Sequence, residues 1–164
     1  QTDGIHYFDL FAYLLDRKPT AVTATLRDFL GRGLDDIGFS VVEYGEVPAF
    51  VEAGYFAPGT YRDCVIVGER ETLAGDFGTA EVKVVANRHV KHGEAWSAPE
   101  GAAETHKATG PEPRSHERKL CLDACARETT PAVDVEAGVL ALRVVEAARR
   151  SSELGRRVEL SEAG

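Results

Sequence analysis

Alternating apolar and polar residues run through the chain from Thr20 to about Trp96, and this alternation constrains the fold more than any other feature. In TAVTATLRDF, the apolar side chains of Val22, Ala24 and Leu26 alternate with threonine and arginine, which is the period of a strand with one buried face. Further segments of this kind are GFSVVEYG (38–45), EVPAFVEAGYF (46–56), RDCVIVGER (62–70) and AEVKVVANRHV (80–90). Because short turns join several of them, the sequence predicts an α+β fold with an open, largely antiparallel sheet and helices on one face.

A helix is predicted before the strands, in TDGIHYFDLFAYLL. Ile5, Phe8, Ala12 and Leu15 fall on one apolar stripe, as in a helix that packs on a core. The hydroxyl of Thr2 can cap its first turn.

Two further helices are predicted near the end of the chain, one near 117–127 and one from Val133. In the second of these helices, we expect Val135, Val139, Leu142 and Val145 to form the buried stripe. Gly155 is the expected C-cap. Residues 158–160 could add an edge strand. Residues 97–115 lack periodicity and are rich in Ala, Gly and Pro, so we expect a surface loop there, within a single domain over 1–164.

Composition excludes several classes of function. The net charge of -8 argues against a nucleic-acid partner, which requires a basic surface. The apolar runs are too short to cross a membrane, and three cysteines indicate a cytoplasmic protein. Since the sequence begins with Gln1 and contains no Met, we expect that residues preceding it have been removed.

His6 is the strongest catalytic candidate in the chain. Asp3 and Asp9 lie three residues to either side of it, so both can flank the imidazole on a helix. Such a histidine can take a proton from a substrate hydroxyl and return it. The alternative is a structural histidine bonded to the helix end.

Two other groups could suggest a metal, but neither predicts a metal site. His89 and His92 point to opposite faces of a strand. Cys121 and Cys125 could act with His116, but no fourth ligand is evident, and two buried thiols are the better interpretation. No glycine-rich phosphate-binding motif is present either, so we expect no cofactor to bind this chain alone.

The order of elements, with TDGIHYFDLFAYLL at the start and PAVDVEAGVLALRVVEAARRSSELGRRVEL at the end, resembles the C-terminal domain of the Gfo/Idh/MocA oxidoreductases. The most specific parts are the Gly-x-His-x-x-Asp pattern of Gly4, His6 and Asp9, and the Gly-Arg-Arg-Val ending. The resemblance implies an N-terminal Rossmann domain, absent from this sequence, that binds NAD or NADP. It also implies that this domain holds the substrate and that His6 faces the nicotinamide across the cleft.

The resemblance further implies a sugar or polyol substrate and homo-oligomers formed through the sheet. We expect Thr2, Asp3 and Asp9 to contribute to the substrate site around His6. The family pattern has an aspartate four residues before the histidine, where this chain has Thr2. A non-catalytic binding or assembly module that keeps the fold is therefore the alternative, and an enzyme that oxidises its substrate only transiently is a third possibility.

Overall fold

The computed structural model describes residues 4–87, 89–127, 129, 131 and 133–162. The described residues form three α-helices: α1 (Gly4–Leu15), α2 (Pro113–Arg127) and α3 (Val135–Leu154). They also form ten strands: β1 (Ala21–Arg27), β2 (Ile37–Tyr44), β3 (Val47–Gly54), β4 (Asp63–Val67), β5 (Glu71–Asp76), β6 (Glu81–Asn87), β7 (Val90–His92), β8 (Ala95–Ser97), β9 (Glu100–Lys107) and β10 (Val158–Glu159). A 3₁₀-helix, Leu160–Glu162, follows β10.

The chain divides into two compact units, one of residues 1–57 with 120–164 and one of residues 58–119. In the first unit, β10, β1, β2 and β3 form a sheet in that order, with every neighbouring pair antiparallel. Gly45 closes the β2–β3 turn with a φ of 67°, a conformation that glycine adopts without steric cost. The predicted antiparallel α+β fold is confirmed.

One face of this first sheet is the core of the unit. Val22, Val42 and Tyr44 on β1 and β2 are fully buried, while Thr23, Thr25 and Val41, which alternate with them, are exposed. The helices α1 and α3 pack on the buried face, α3 against β1 and α1 against β2 and β3. The predicted strand alternation therefore determines which face the helices cover.

The buried stripe of α3 differs from the predicted one. Val135, Val139 and Leu142 are exposed and Val145 is half-buried. The side chains that face the core are Ala141, Val144, Ala147, Ala148 and Ser151. The prediction chose the largest apolar side chains. The buried stripe instead consists mostly of small residues, which allow the helix backbone to approach β1 closely.

Two serines at the end of α3 complete the hydrogen bonding of β1. Because β10 pairs only with Ala21 and Val22, it does not reach the later amides of β1. The Ser151 hydroxyl accepts from the amide of Ala24 at 2.9 Å, and the Ser152 hydroxyl accepts from the amide of Leu26 at 2.9 Å. Ser151 also donates to the carbonyl of Arg156 at 2.6 Å, so this buried hydroxyl joins three segments of the chain.

The Gly-Arg-Arg-Val ending links α3 to the sheet. Gly155 ends α3 in the left-handed conformation, with a φ of 64°, as predicted for a C-cap. The Arg157 guanidinium donates to both carboxylate oxygens of Glu43, at 2.7 and 2.6 Å. These hydrogen bonds from Arg157 hold the pKa of the Glu43 carboxyl below its usual value. Val158 and Glu159 pair with Val22 and Ala21 of β1, which confirms the predicted edge strand, except that Leu160 begins the 3₁₀-helix.

The second unit contains a separate antiparallel sheet in the order β4, β5, β6 and β9, and a β7–β8 hairpin. The predicted loop over 97–115 is wrong, because β9 pairs with β6 and α2 begins at Pro113. Strand β9 has no apolar alternation and its side chains from 101 to 107 are exposed. Its pairing with β6 makes this segment a strand, which its own sequence pattern does not indicate. Strand β5 was not predicted either. It is separated from β4 by a turn in which the Gly68 amide donates to the Glu71 carbonyl at 2.9 Å.

Helix α2 buries none of its described residues. Cys121 and Cys125 are exposed, so the prediction of two buried thiols is wrong. The helix has no sustained apolar stripe that could bury them. Among the described residues, no helix combines the length and apolarity that a membrane crossing requires.

Replacing Ser151 with alanine should destabilise the chain by about 1–3 kcal/mol, because the buried Ala24 amide would lose its acceptor. Urea unfolding followed by circular dichroism measures this change. The matched control is Ser161→Ala, at an exposed position, where we expect a change within about 0.5 kcal/mol. Equal stability of the two variants would show that the Ser151 hydrogen bonds do not hold α3 on β1.

Candidate functional site

His6 lies in the first turns of α1 with its side chain exposed to solvent. The residues two positions before and after it, Gly4 and Phe8, are both buried. The helix therefore rests on the sheet on either side of His6, while the imidazole points away from the core. An exposed side chain on an anchored turn can meet a ligand in a fixed position.

The first anchor is the burial of Gly4 where α1 packs beside β3. A Cβ atom placed on Gly4 would lie 3.6 Å from the Cβ of Ala53 and 3.9 Å from the ring of Phe8. Both are ordinary van der Waals distances, so the space between the buried Gly4 and β3 is about one methyl group wide.

The second anchor is Tyr44, on β2. Its hydroxyl donates to the carbonyl of Phe8 at 2.8 Å, and this hydrogen bond is buried. Its ring meets the ring of Phe11 edge to face, with the centroids 6.5 Å apart. Burial raises the pKa of the Tyr44 hydroxyl, and the negative charge of Asp9 raises it further. The hydroxyl is therefore a neutral donor, and the Asp9 carboxylate lies within electrostatic range of it.

Of the other predicted site residues, the structure describes only Asp9. Asp9 is half-buried on α1, one turn after His6. Thr2 and Asp3 lie outside the described residues, so their part in the site stays a prediction. Sequence reasoning missed Tyr44, because a tyrosine at the end of an apolar strand reads as an ordinary core residue.

A small cavity adjoins the beginning of α1. It has a volume of about 20 Å³ and is lined by Gly4, Asp35, Gly38 and Ser40 among others. This space holds about one water molecule, so it is too small to enclose a sugar. The cavity shows that the start of α1 and the β1–β2 loop lie at the same end of the sheet.

Two aspartates hold the β1–β2 loop in a fixed conformation. Asp28 accepts from the amides of Arg32 and Gly33, at 3.1 and 2.7 Å. Asp36 is buried and accepts from the amide of Leu30 at 2.8 Å and from the Arg32 guanidinium. Burial raises the pKa of the Asp36 carboxyl, but the hydrogen bonds from Arg32 and from backbone amides lower it by more, so it lies below the usual value.

This ordered loop carries large exposed apolar side chains. Phe29 is 67% exposed and Leu34 is 65% exposed. The ring of Phe29 lies 6.0 Å, between centroids, from the ring of Phe56, which follows β3. In the sequence, the signal for this ordered loop is Asp28 and Asp36 on either side of its glycines, because aspartates commonly accept from turn amides.

The helix N-termini of α2 and α3 do not fit a dinucleotide phosphate, because each is capped by a carboxylate of this chain. Glu112 accepts from the amides of Arg114 and Ser115, at 3.1 and 2.8 Å. Asp134 accepts from the amide of Ala137 at 3.0 Å. A helix N-terminus that binds phosphate leaves these amides open.

Metal binding has no clear site in the part of the chain that the structure describes. No three His, Cys, Asp or Glu side chains there are grouped so that they could hold a metal ion. His89 and His92 are exposed, and so is His116 on α2.

The sequence matches the family model described as the oxidoreductase family, C-terminal alpha/beta domain, over residues 2–160. The chain therefore belongs to the Gfo/Idh/MocA oxidoreductase family and corresponds to its C-terminal domain. No curated protein matches the chain significantly.

Solved structures show the same fold. The chain is similar to levoglucosan dehydrogenase in complex with NADH and levoglucosan, with 15% identity, a TM-score of 0.77, and coverage of 96% of this chain and 48% of that one. An NAD-binding oxidoreductase from Klebsiella pneumoniae has 18% identity, a TM-score of 0.76, and coverage of 96% and 49%. An oxidoreductase from Agrobacterium radiobacter, in complex with NAD+, L-tartaric acid and magnesium, has 14% identity, a TM-score of 0.70, and coverage of 97% and 48%. The chain spans about half the length of these structures.

Proposed function

We propose that this chain is the substrate-binding and oligomerisation domain of a nicotinamide-dependent oxidoreductase that acts on a sugar, polyol or related secondary alcohol. The family supports the class of reaction. Solved structures of similar fold contain NADH with levoglucosan, and NADH with L-sorbose, which supports a small polyhydroxylated substrate and NAD or NADP as the cofactor.

The observation that carries the proposal is the position of His6. It is exposed on a helical turn that is anchored by Gly4 on one side and Phe8 on the other. A histidine that served only the core would be buried and would bond the helix end or a neighbouring strand. This one is held at a fixed place and left open to a ligand.

The chemistry divides between the cofactor and this chain. The nicotinamide would accept the hydride from the alcohol carbon, or donate it to the carbonyl carbon in the reverse direction. His6 would accept the hydroxyl proton during oxidation and return it during reduction. Asp9, and in the sequence prediction Thr2 and Asp3, would bind and orient the substrate beside His6.

The capped ends of α2 and α3 favour binding of the dinucleotide phosphates by residues outside this chain. We also propose a cytoplasmic location, because Cys64, Cys121 and Cys125 are all free thiols.

In the cofactor-bearing enzyme, His6→Asn should lower turnover by about 10²- to 10⁴-fold, the usual contribution of a general acid or base. The fold should be retained, since the side chain is exposed. Raising the pH should partly restore alcohol oxidation by the variant, because solvent then takes the proton more readily. Steady-state kinetics across pH, with His92→Asn as the control at an exposed histidine of β7, measures both effects.

Unchanged turnover in His6→Asn would contradict the proposal and favour the non-catalytic binding or assembly module. An equal loss of activity and of unfolding free energy would instead show that His6 has a structural role.

We further propose that the outer face of the first sheet binds a second copy of this chain. Phe50 is 64% exposed and Phe39 is 39% exposed, and their rings stack with centroids 6.4 Å apart. Val41 pairs with Phe50 across the strands and with Thr23 on β1. The centre of this face is apolar or uncharged, and Glu52 beside Phe39 is a charged residue on it. Such a face can pack against its own copy about a two-fold axis.

Placing a charge on this face should weaken self-association. Phe50→Glu should raise the dimer dissociation constant of the 164-residue chain about tenfold or more, because the carboxylate would be buried in the interface. Sedimentation equilibrium measures the constant. The control is Tyr13→Glu, at an exposed position of α1, which should leave it unchanged. A wild-type chain that remains monomeric at micromolar concentration would contradict the proposed interface.

A further inference from the structure

Tyr44 is the polar side chain that contacts the turn carrying His6 from beneath. Its side chain is completely buried, and its hydroxyl bonds the carbonyl of Phe8 at 2.8 Å. Phe8 is only two residues beyond His6 along the helix. The hydrogen bond therefore acts on the segment that positions the imidazole.

A hydrogen bond to a helix carbonyl limits motion in a way that apolar contacts do not. The packing of the buried Phe8 and Phe11 rings is a sum of many weak, non-directional contacts. A bond from a fixed hydroxyl to one carbonyl defines both the height and the rotation of the helix, because its energy depends on distance and angle. Gly4, buried near Ala53 on the other side of His6, has no side chain that could form such a bond.

We infer that Tyr44 is a positioning residue: its hydrogen bond to Phe8 fixes the register of α1 on the sheet and so fixes where His6 meets the substrate. This inference rests on the proposed function, since it assigns to Tyr44 a role that acts through His6. Tyr44 does not touch the substrate, because it is buried beneath the helix.

The test is Tyr44→Phe, which keeps the ring against Phe11 and removes only the donor. The control is Ser152→Ala, which removes a hydrogen bond to Leu26 in the same unit but on a different helix. The two variants are compared by unfolding free energy, by amide hydrogen exchange and by kinetics in the cofactor-bearing enzyme.

In Tyr44→Phe, the amides of residues 8–12 in the 164-residue chain should exchange about tenfold faster or more, while Ser152→Ala leaves them unchanged. In the enzyme, kcat should fall about tenfold or more with little change in KM, because a small displacement of a catalytic group slows the reaction more than it weakens binding. For Ser152→Ala, kcat should remain within about twofold of wild type.

Two results would overturn the inference: unchanged exchange in α1 of Tyr44→Phe, or equal kcat in the two variants. If His6→Asn itself leaves turnover unchanged, the proposed function fails. The exchange rates then decide separately whether Tyr44 fixes the helix, and unchanged rates would overturn that as well.

Discussion

The first unit depends on covering one face of the β10–β1–β2–β3 sheet with helices that approach its backbone closely. Alternation along β1, β2 and β3 concentrates the buried side chains on that face. The helix α3 approaches through alanines and valine, and its serines complete the hydrogen bonding of β1. The helix α1 buries Gly4, Phe8 and Phe11 and accepts a hydrogen bond from the Tyr44 hydroxyl. Both helices thus combine packing with hydrogen bonds to the strands, which rigidify a core as apolar contacts alone do not.

This arrangement explains why a candidate catalytic residue lies on a core helix. A loop would give His6 more conformational freedom, but a catalytic group must be held in a well-defined position relative to its substrate. The same end of the sheet carries the β1–β2 loop, ordered by Asp28 and Asp36. The proposed site is therefore bordered by backbone that is held in place before a ligand arrives.

The sequence predicted the parts of the fold that follow from local pattern. Strands β1, β2 and β3 follow from alternation, and the end of α3 follows from Gly155. The helix α1 follows from its apolar pattern, but of the predicted stripe only Phe8 is buried, together with Phe11, while Ile5, Ala12 and Leu15 are half-buried. The buried stripe of α3 could not be predicted from hydrophobicity, because close approach to β1 favours small residues over Val135 and Leu142. Strand β9 could not be predicted either, since its pairing with β6 depends on residues far away in the sequence.

The candidate site, like the fold, could be predicted only where it depends on residues that are close together in the sequence. His6 and Asp9 are candidates because of their spacing on a helix. Tyr44 could not be predicted, because it acts through a hydrogen bond to a residue 36 positions away, which no local pattern records. The family resemblance suggests a role for His6, and the structure shows which residues hold its helical turn in place.

The central claim is that the exposed, anchored turn around His6 faces the substrate, and the most direct test is to locate a bound ligand. Amide chemical shifts of the 164-residue chain would be followed by NMR as levoglucosan or glycerol is added at increasing concentration. The account predicts that the changes concentrate on residues 5–9 and on the β1–β2 loop. Changes confined to the outer face of the sheet or to residues 58–119, or no changes at any concentration, would contradict it.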